Sequence, residues 1–225
     1  MSACFVTATG TDIGKTFVAR GLIGALRARG RAVAALKPVM SGFEPAEAAG
    51  SDAGLLLEAL GRPVTSEAIA EISPWRFAAP LAPDMAAARE GRTLDIRELI
   101  RFCGDMIAAN RDVLLIEGAG GVMSPVNADR VMLDWMTALG LPVILVAGSY
   151  LGTISHTLTA LDVIARRNLK VAALVISETA GSPVRLDATR DTLARFALPV
   201  DVVTLPRLAT MACAHPGIER IAERL

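Results

Sequence analysis

Six short runs of apolar residues recur along the chain, and polar side chains rarely interrupt them. A strand with one face in water alternates apolar and polar residues, whereas a strand buried on both faces is apolar throughout. Runs of this length therefore predict buried strands of a parallel sheet. They lie at residues 4–8, 32–36, 113–116, 143–147, 171–176 and 200–205.

Between these runs, apolar residues recur at helical spacing, which predicts amphipathic helices at residues 15–29, 51–60, 96–110, 132–139, 153–167, 185–196 and 218–225. Strands that alternate with helices indicate an α/β fold with a mostly parallel sheet and helices on both faces. We expect a single domain over residues 1–225, without an internal repeat or linker. The proline-rich segment 74–83 is expected to be an irregular surface loop over a site.

Residues 7–16, which follow the first predicted strand, form a candidate phosphate loop. The helix after it begins near Gly14, and the free backbone N–H groups of a helix start attract phosphate oxygens. Lys15 can reach the β- and γ-phosphates, and the Thr16 hydroxyl can bind Mg²⁺. The usual pattern needs a glycine at position 9, but the chain has Thr9 there and Gly10 next to it. Strand, loop and helix together still predict a nucleotide site.

Small and polar residues follow three further predicted strands, at 37–42, 117–121 and 148–153. Ligands of parallel sheets bind beyond the carboxyl ends of the strands, so these segments are expected to share one edge with the phosphate loop. Lys37 would be a second cation that neutralises charge on a transferring phosphoryl group. The carboxylates of Asp52 and Glu117 suit a Mg²⁺ site, although Asp52 alone also fits an acidic residue favoured by a helix start.

Two interpretations stay open for the helix that begins near Gly152. Its free N–H groups could bind a carboxylate, or Thr153 could be an ordinary N-cap. Ser41 is either a turn residue or a hydroxyl directed at a substrate. We expect His156 to have a structural role, and both tryptophans to pack in the core.

Composition excludes several classes of function. Lys and Arg number 23, and so do Asp and Glu, so the net charge of zero gives no reason to expect a nucleic-acid or membrane partner. No apolar run reaches the roughly 18 residues that span a bilayer. The odd number of cysteines, Cys4, Cys103 and Cys213, predicts reduced thiols in a cytoplasmic protein. Two histidines argue against a multi-histidine metal centre.

The segments 6–16, 37–42, 51–52, 117–121, 141–146, 151–156 and 205–208 resemble the dethiobiotin synthetases, ATP-dependent cyclo-ligases of biotin synthesis. The resemblance runs from the first strand to about Leu208 and includes the unusual glycine placement in the phosphate loop. It implies a P-loop NTPase-like fold, 7,8-diaminopelargonate as substrate, and ATP and CO2 as co-substrates. It also implies Mg²⁺ as cofactor and a homodimer with the substrate site at the subunit interface.

The resemblance further implies a role for each matching position. Lys37 and Lys15 would be catalytic, and Mg²⁺ would be bound by Thr16, Asp52 and Glu117. The nucleotide would be bound by Asp12, Ile13, Gly14, Lys15, Thr16, Phe17, Asp52, Glu117, Gly118, Ala119, Gly120, Ser177, Glu178, Leu205, Pro206 and Arg207. The substrate would be bound by Thr11, Ser41, Gly152, Thr153, Ile154 and Ser155, the last four from the partner subunit.

The chain departs from the family pattern at a few positions. Ser177 and Glu178 stand where a familiar member has an asparagine that reads adenine, so the base preference stays open. The helix that contains Arg190 lacks the family's tyrosine near the substrate tail, and Arg190 or another neighbour could replace it. Ala8 stands where the family usually has a loop glycine.

Two other classes of protein share this fold class. ATP-switch proteins of the partition and septum-site type carry an additional lysine early in the phosphate loop, where this chain has Gly10. Amide ligases of the cobyrinate type normally need a glutaminase partner or domain with a cysteine nucleophile, and no such segment is evident. Both features favour the cyclo-ligase.

Overall fold

The computed structural model describes residues 2–109, 112–197, 199–208 and 215–225. Its main sheet contains six parallel strands: β1 (Ser2–Ala8), β2 (Val33–Leu36), β5 (Val113–Glu117), β6 (Val143–Gly148), β7 (Val171–Ser177) and β8 (Val202–Leu205). Their order is β2-β5-β1-β6-β7-β8. A second, two-stranded parallel sheet pairs β3 (Val39–Ser41) with β4 (Trp75–Phe77). The α/β class and the parallel sheet are confirmed.

Nine α-helices lie within the described residues, together with a short 3-10 helix at Pro45–Gly50. They are α1 (Lys15–Ala28), α2 (Asp52–Ala59), α3 (Ser66–Ile72), α4 (Pro83–Arg89), α5 (Ile96–Ala109), α6 (Met132–Leu139), α7 (Thr153–Arg166), α8 (Leu186–Phe196) and α9 (Pro216–Ala222). None of these described helices is both long and apolar enough to cross a bilayer.

The strand prediction succeeds because the central strands are buried on both faces. Every residue of β5 and β6 is buried, and the core continues from them onto α1 and α6. Phe5 of β1 meets Trp135 of α6 edge to face, with ring centroids 4.9 Å apart. Trp75 packs similarly against Phe102, so both tryptophans are packing residues as predicted.

The structure differs from the predictions mainly in short elements. The segment 74–83 is not wholly irregular, since it contains β4 and ends where α4 begins. The strands β3 and β4 have three residues each, and α3 and α4 have seven, too few to show a clear period. The helix predicted at 96–110 corresponds to α5, and its predicted end at Asn110 lies outside the described residues.

Two of the three cysteines lie within the described residues, and both are free and buried. Burial raises the pKa of Cys4 and of Cys103 to about 12, so both thiols stay protonated at neutral pH. The prediction for Cys213 falls outside the described residues.

The topology brings distant segments of the chain to one edge of the sheet. β1 lies between β5 and β6. After β1, the chain adds β2 and β5 on one side of it and then β6, β7 and β8 on the other. All six strands are parallel, so their carboxyl ends share one edge, which we call the carboxyl edge. Ligands of open α/β sheets bind at such a switch of strand order.

Candidate active site

The phosphate loop leaves β1 and turns into α1 through two residues of left-handed backbone. Asp12 has a φ of 55°, and Gly14 has a φ of 103°. Gly14 caps α1 without a side-chain hydrogen bond, so the first N–H groups of the helix are free for a ligand. Ile13 and Phe17 are partly buried and pack against the core.

Gly14 also lies against the end of β7. A Cβ atom added to Gly14 would stand 2.9 Å from Ser177 Oγ. Only glycine satisfies both the positive φ and this close approach without strain. The base end of the predicted nucleotide site therefore touches the phosphate loop directly.

We expect Gly14→Ala to weaken nucleotide binding by about tenfold or more, since left-handed backbone costs a non-glycine residue about 1–2 kcal/mol before the contact with Ser177 is counted. Gly30→Ala is the matched control, because Gly30 has a φ of 74° and no neighbour within 4 Å of its Cβ position. Calorimetric titration with ATP measures both variants. Equal affinity in wild type and Gly14→Ala would contradict the packing argument.

The small residues after β5 let that turn lie flat on the phosphate loop. A Cβ atom on Gly118 would stand 2.9 Å from the ring of Phe5, and one on Gly121 would stand 3.1 Å from the Gly10 nitrogen. The Gly118 N–H donates to the Val6 carbonyl at 3.0 Å, which continues the pairing of β5 with β1. Larger side chains here would push the turn away from the loop.

Four side chains from separate parts of the chain form what we call the charged cluster: Thr16 of α1, Lys37 just after β2, Asp52 of α2 and Glu117 of β5. Lys37 Nζ lies 2.6 Å from Glu117 Oε1 and 2.8 Å from Asp52 Oδ2. It also donates to the Gly118 carbonyl at 3.0 Å. The Thr16 hydroxyl lies 2.7 Å from Asp52 Oδ1 and 2.8 Å from Glu117 Oε1.

The electrostatics of the charged cluster follow from its burial. Lys37 is 3% exposed and Glu117 is 1% exposed. Burial disfavours the ammonium form of Lys37, but the charges of Glu117 and Asp52 outweigh burial and raise its pKa. Burial likewise opposes ionisation of Asp52, yet Lys37, Thr16 and Lys15 hold its pKa below the usual range. The carboxylate of Asp52 is thus charged at neutral pH.

The donor set of the cluster fits a magnesium ion. Thr16, Asp52 and Glu117 offer hard oxygen ligands, and Glu117 Oε2 is buried without a hydrogen-bond partner among the described residues. A buried carboxylate oxygen without a partner is costly, so it indicates a missing ligand. Among the described residues there is no group of three or more His, Cys, Asp or Glu that could hold a metal. A cation here would therefore complete its shell with the threonine hydroxyl and ligand oxygens.

Lys15 is the second cation of the same cavity. Its Nζ donates to the Gly10 carbonyl at 3.3 Å, and its side chain is 7% exposed. Burial, and then the charge of Lys37, lower the pKa of Lys15 to about 8. Lys15 stands at the loop and Lys37 at the carboxylates, so two positive groups face the cavity from different sides.

The cavity above the phosphate loop has a volume of about 760 Å³, enough for a nucleotide phosphate chain and a small substrate. It is lined by Thr11 and Ser41 and by three members of the charged cluster, Thr16, Lys37 and Asp52. Glu117 does not line it. Ser41 Oγ is buried and without a partner among the described residues, so it is free to contact a ligand. The segment from Pro80 to Pro83 closes one side, which agrees with a loop over the site.

Sequence reasoning missed two lining residues, Met40 and Ser124. Ser124 Oγ accepts the Gly121 N–H at 2.7 Å and would lie 2.2 Å from a Cβ on Gly120. It thus holds the glycine turn in shape and lines a second cavity of about 420 Å³ beside Thr11. A serine just after a glycine run was the available signal.

The candidate base-binding residues lie farther along the carboxyl edge. The Glu178 N–H donates to the Leu205 carbonyl at 2.9 Å, and the Arg207 N–H donates to Glu178 Oε2 at 2.8 Å. Glu178 therefore joins the ends of β7 and β8. Beside it lies an open cavity of about 350 Å³ that Arg190 also lines.

The start of α7 tests one of the two interpretations of Thr153, and carboxylate binding there stays a prediction. Gly152 is the N-cap, with a φ of 97°, and it makes no side-chain capping bond. The Thr153 hydroxyl is buried and donates to the Gly148 carbonyl at 2.7 Å, so the N-cap interpretation is wrong. Among the described residues the N–H groups of Ile154 and Ser155 have no backbone acceptor outside the helix. His156 Nδ1 lies 2.8 Å from the Tyr150 hydroxyl, a contact within the chain.

The chain is similar to known proteins over nearly its whole length. The sequence model of a family described as an AAA domain matches residues 2–212. The chain is 50% identical over 226 residues to the ATP-dependent dethiobiotin synthetase BioD of Phenylobacterium zucineum, covering 100% of this chain and 97% of that protein. It is 50% identical over 202 residues to the synthetase of the same name from Methylobacterium nodulans, covering 88% and 90%.

Solved structures show the fold alone, because their identities are low. The septum site-determining protein MinD of Pyrococcus horikoshii, solved with Mg-ADP, has a TM-score of 0.57 at 16% identity and covers 99% of this chain and 95% of that one. MinD of Aquifex aeolicus has a TM-score of 0.56 at 11% identity, covering 100% and 96%. These neighbours confirm a P-loop NTPase-like fold. Sequence identity near one half over nearly the whole length is decisive for the function class, so the chain belongs to the ATP-dependent dethiobiotin synthetase family, P-loop ligases of biotin biosynthesis.

Proposed function

We propose that the chain carboxylates and cyclises 7,8-diaminopelargonate, with CO2 and ATP, to form dethiobiotin. The observation that carries the proposal is one cavity lined by Lys15, Lys37, Asp52 and the start of α1, with Glu117 bound to Lys37 behind it. Phosphoryl transfer needs positioning and charge neutralisation more than a protein nucleophile. The site has those groups and needs no Ser–His or Cys–His pair.

The reaction proceeds in three balanced steps. One amine adds to CO2 and loses a proton, which gives a carbamate. A carbamate oxygen then attacks the γ-phosphorus of ATP, ADP leaves, and a mixed carbamic–phosphoric anhydride forms. The second amine attacks the carbamate carbon, inorganic phosphate leaves with the electron pair of the broken C–O bond, and the amine loses a proton as the ureido ring closes.

The protein groups act by holding charge in place. The free N–H groups of residues 12–17 and the Lys15 ammonium bind the phosphates, and Lys37 stabilises the carbamate and the transferred phosphoryl group. Thr16, Asp52 and Glu117 would hold Mg²⁺, which supplies Lewis-acid neutralisation of phosphate charge when bound. Gly118, Ala119 and Gly120 permit close approach of the nucleotide.

The two ends of the substrate would bind to different parts of the protein. Thr11 and Ser41 would contact the amine and carbamate end, since both line the cavity and Ser41 Oγ has no partner among the described residues. The tail carboxylate would meet the α7 start of a second subunit, at Gly152, Thr153, Ile154 and Ser155. Leu151 is 80% exposed beside this helix start, which suits a homodimer interface.

The base of the nucleotide would contact Ser177, Glu178, Leu205, Pro206 and Arg207. Glu178 accepts a hydrogen bond from the Arg207 N–H. An ionised carboxylate can only accept hydrogen bonds from a base, whereas the asparagine of familiar members can both accept and donate. ATP, CTP and GTP are therefore all to be tested as co-substrates. Free buried thiols at Cys4 and Cys103 fit the reducing cytoplasm that we propose as its compartment.

The proposal is tested by incubating the protein with 7,8-diaminopelargonate, bicarbonate, Mg²⁺ and ATP, and measuring dethiobiotin by mass spectrometry. We expect one phosphate released for each ring closed, with ¹³C from labelled bicarbonate in the ureido carbon. Reactions without bicarbonate or without nucleotide are the controls. ATP hydrolysis without dethiobiotin would contradict the proposal and favour a switch ATPase.

A further inference from the structure

Lys37 lines the cavity, but the hydrogen bonds of its ammonium go to the charged cluster and the neighbouring backbone. Its Nζ lies 2.6 Å from Glu117 and 2.8 Å from Asp52, and its third hydrogen bond goes to the Gly118 carbonyl at 3.0 Å. An ammonium group has three hydrogens to donate. Lys37 therefore has no N–H left for a carbamate while these three contacts persist.

The same carboxylates are the candidate ligands of Mg²⁺. Glu117 Oε1 already accepts from both Lys37 and Thr16, and Asp52 binds both residues with its two oxygens. A metal ion that binds these oxygens would meet the Lys37 ammonium at short range, where two positive charges repel. One of the two cations must move.

Lys37 is the group that can move. Its ammonium stands on a flexible four-carbon stem, whereas Glu117 ends a fully buried strand and Asp52 begins α2. Lys37 also lines the 760 Å³ cavity, so a rotation of its stem brings the ammonium towards the space where a substrate would lie.

We propose that Lys37 is the internal counter-ion of the metal site: it holds Asp52 and Glu117 in position before the metal binds, and the metal releases its ammonium into the substrate cavity. The inference rests on the proposed function of this site. Metal binding therefore makes Lys37 available to the carbamate. The Lys37 ammonium then becomes free to contact the carbamate only when the metal is in place.

The test uses Mn²⁺ alone, because no nucleotide is then needed for binding. Coupling is reciprocal, so if the metal displaces Lys37, removing Lys37 must strengthen metal binding. We expect Lys37→Met and Lys37→Gln to bind Mn²⁺ about 5- to 150-fold more tightly than wild type, as measured by electron paramagnetic resonance. Adding Glu117→Gln to Lys37→Met should abolish the gain, which assigns it to this site.

The chain offers two matched controls, since its lysines are only Lys15, Lys37 and Lys170. Lys15→Met removes a charge from the same cavity but no contact with the carboxylates, so its effect on Mn²⁺ affinity should be smaller. Lys170 is exposed, and Lys170→Met should leave the affinity unchanged. Equal or weaker Mn²⁺ binding in both Lys37 variants would overturn the proposal.

A measurement on the wild type covers the case in which the Lys37 variants fail to fold. Lysines labelled with ¹³C at Cε give three resonances, assigned from the Lys15→Met and Lys170→Met spectra. Saturating Mg²⁺ should shift the Lys37 resonance, and a resonance that does not change would refute displacement. If dethiobiotin forms but Lys37 stays in place, this inference fails and the proposed function stands. If Lys37 moves but no dethiobiotin forms, the reverse holds.

Discussion

Lys37→Ala is expected to reduce dethiobiotin formation by about 10³-fold or more while the protein still binds nucleotide. Loss of a cation that stabilises a transferring phosphoryl group costs rates of this order. We expect the phosphate contacts to survive, because Lys15 is bonded to the Gly10 carbonyl and the start of α1 has no side-chain cap that Lys37 supplies. Mass-spectrometric turnover and calorimetric ATP titration separate the two effects.

Stability must be measured with the same variant, since Lys37 is buried between two carboxylates. Removing one partner of a buried ion pair typically costs about 3–5 kcal/mol. Assays therefore belong below the unfolding temperature of the variant, with the exposed Lys170→Ala as the matched control. Turnover of folded Lys37→Ala at the wild-type rate would exclude the catalytic role.

Glu117→Gln is expected to raise the Mg²⁺ concentration for half-maximal activity by about tenfold or more. The amide keeps the size of the side chain and one acceptor, but it loses the negative charge that a hard divalent ion prefers. Even outer partners of metal ligands change affinity by about 10–100-fold, so a direct ligand should reach that range. A Mg²⁺ titration of dethiobiotin formation measures the shift.

Glu71→Gln is the control for this charge change, because Glu71 is an exposed glutamate paired with Arg62 away from the site. It should leave the Mg²⁺ titration unchanged. Should Glu117→Gln keep the wild-type midpoint as well, Glu117 would not be a metal ligand. Its buried Oε2 atom would then need another explanation.

The sheet could be predicted from the sequence because its strands are apolar on both faces. β5 and β6 are fully buried and show no alternation, and the glycines and lysine of the phosphate loop mark the end of β1. The end of each of four strands then indicated one candidate functional segment. The elements that escaped were the short ones, β3, β4, α3 and α4, where local periodicity is too brief to detect.

Contacts between those segments could not be predicted in the same way. The sequence indicated Lys37, Asp52 and Glu117 separately. The ion pairs of Lys37 with both carboxylates depend on strand order and helix packing, which the sequence pattern does not show. The Thr153 hydroxyl similarly donates to the Gly148 carbonyl, which the fold brings next to it. The general preference of threonine for N-cap positions could not predict this contact. Ser124 became visible only once its hydroxyl met the glycine turn.

The charged cluster also links ligand binding to completion of folding. Its hydrogen bonds join residues 36, 80 and 101 positions apart in the chain, from Thr16 to Asp52, from Lys37 to Glu117 and from Thr16 to Glu117. We expect contacts of such separation to form late, once β1, β2 and β5 have paired and α2 has docked, because long-range contacts are slow to assemble. A chain stalled on the way, or cut between these elements, would therefore lack the charged cluster and with it the proposed metal site. Tight binding of nucleotide with metal can thus serve as a reporter for fully folded protein in refolding and expression experiments.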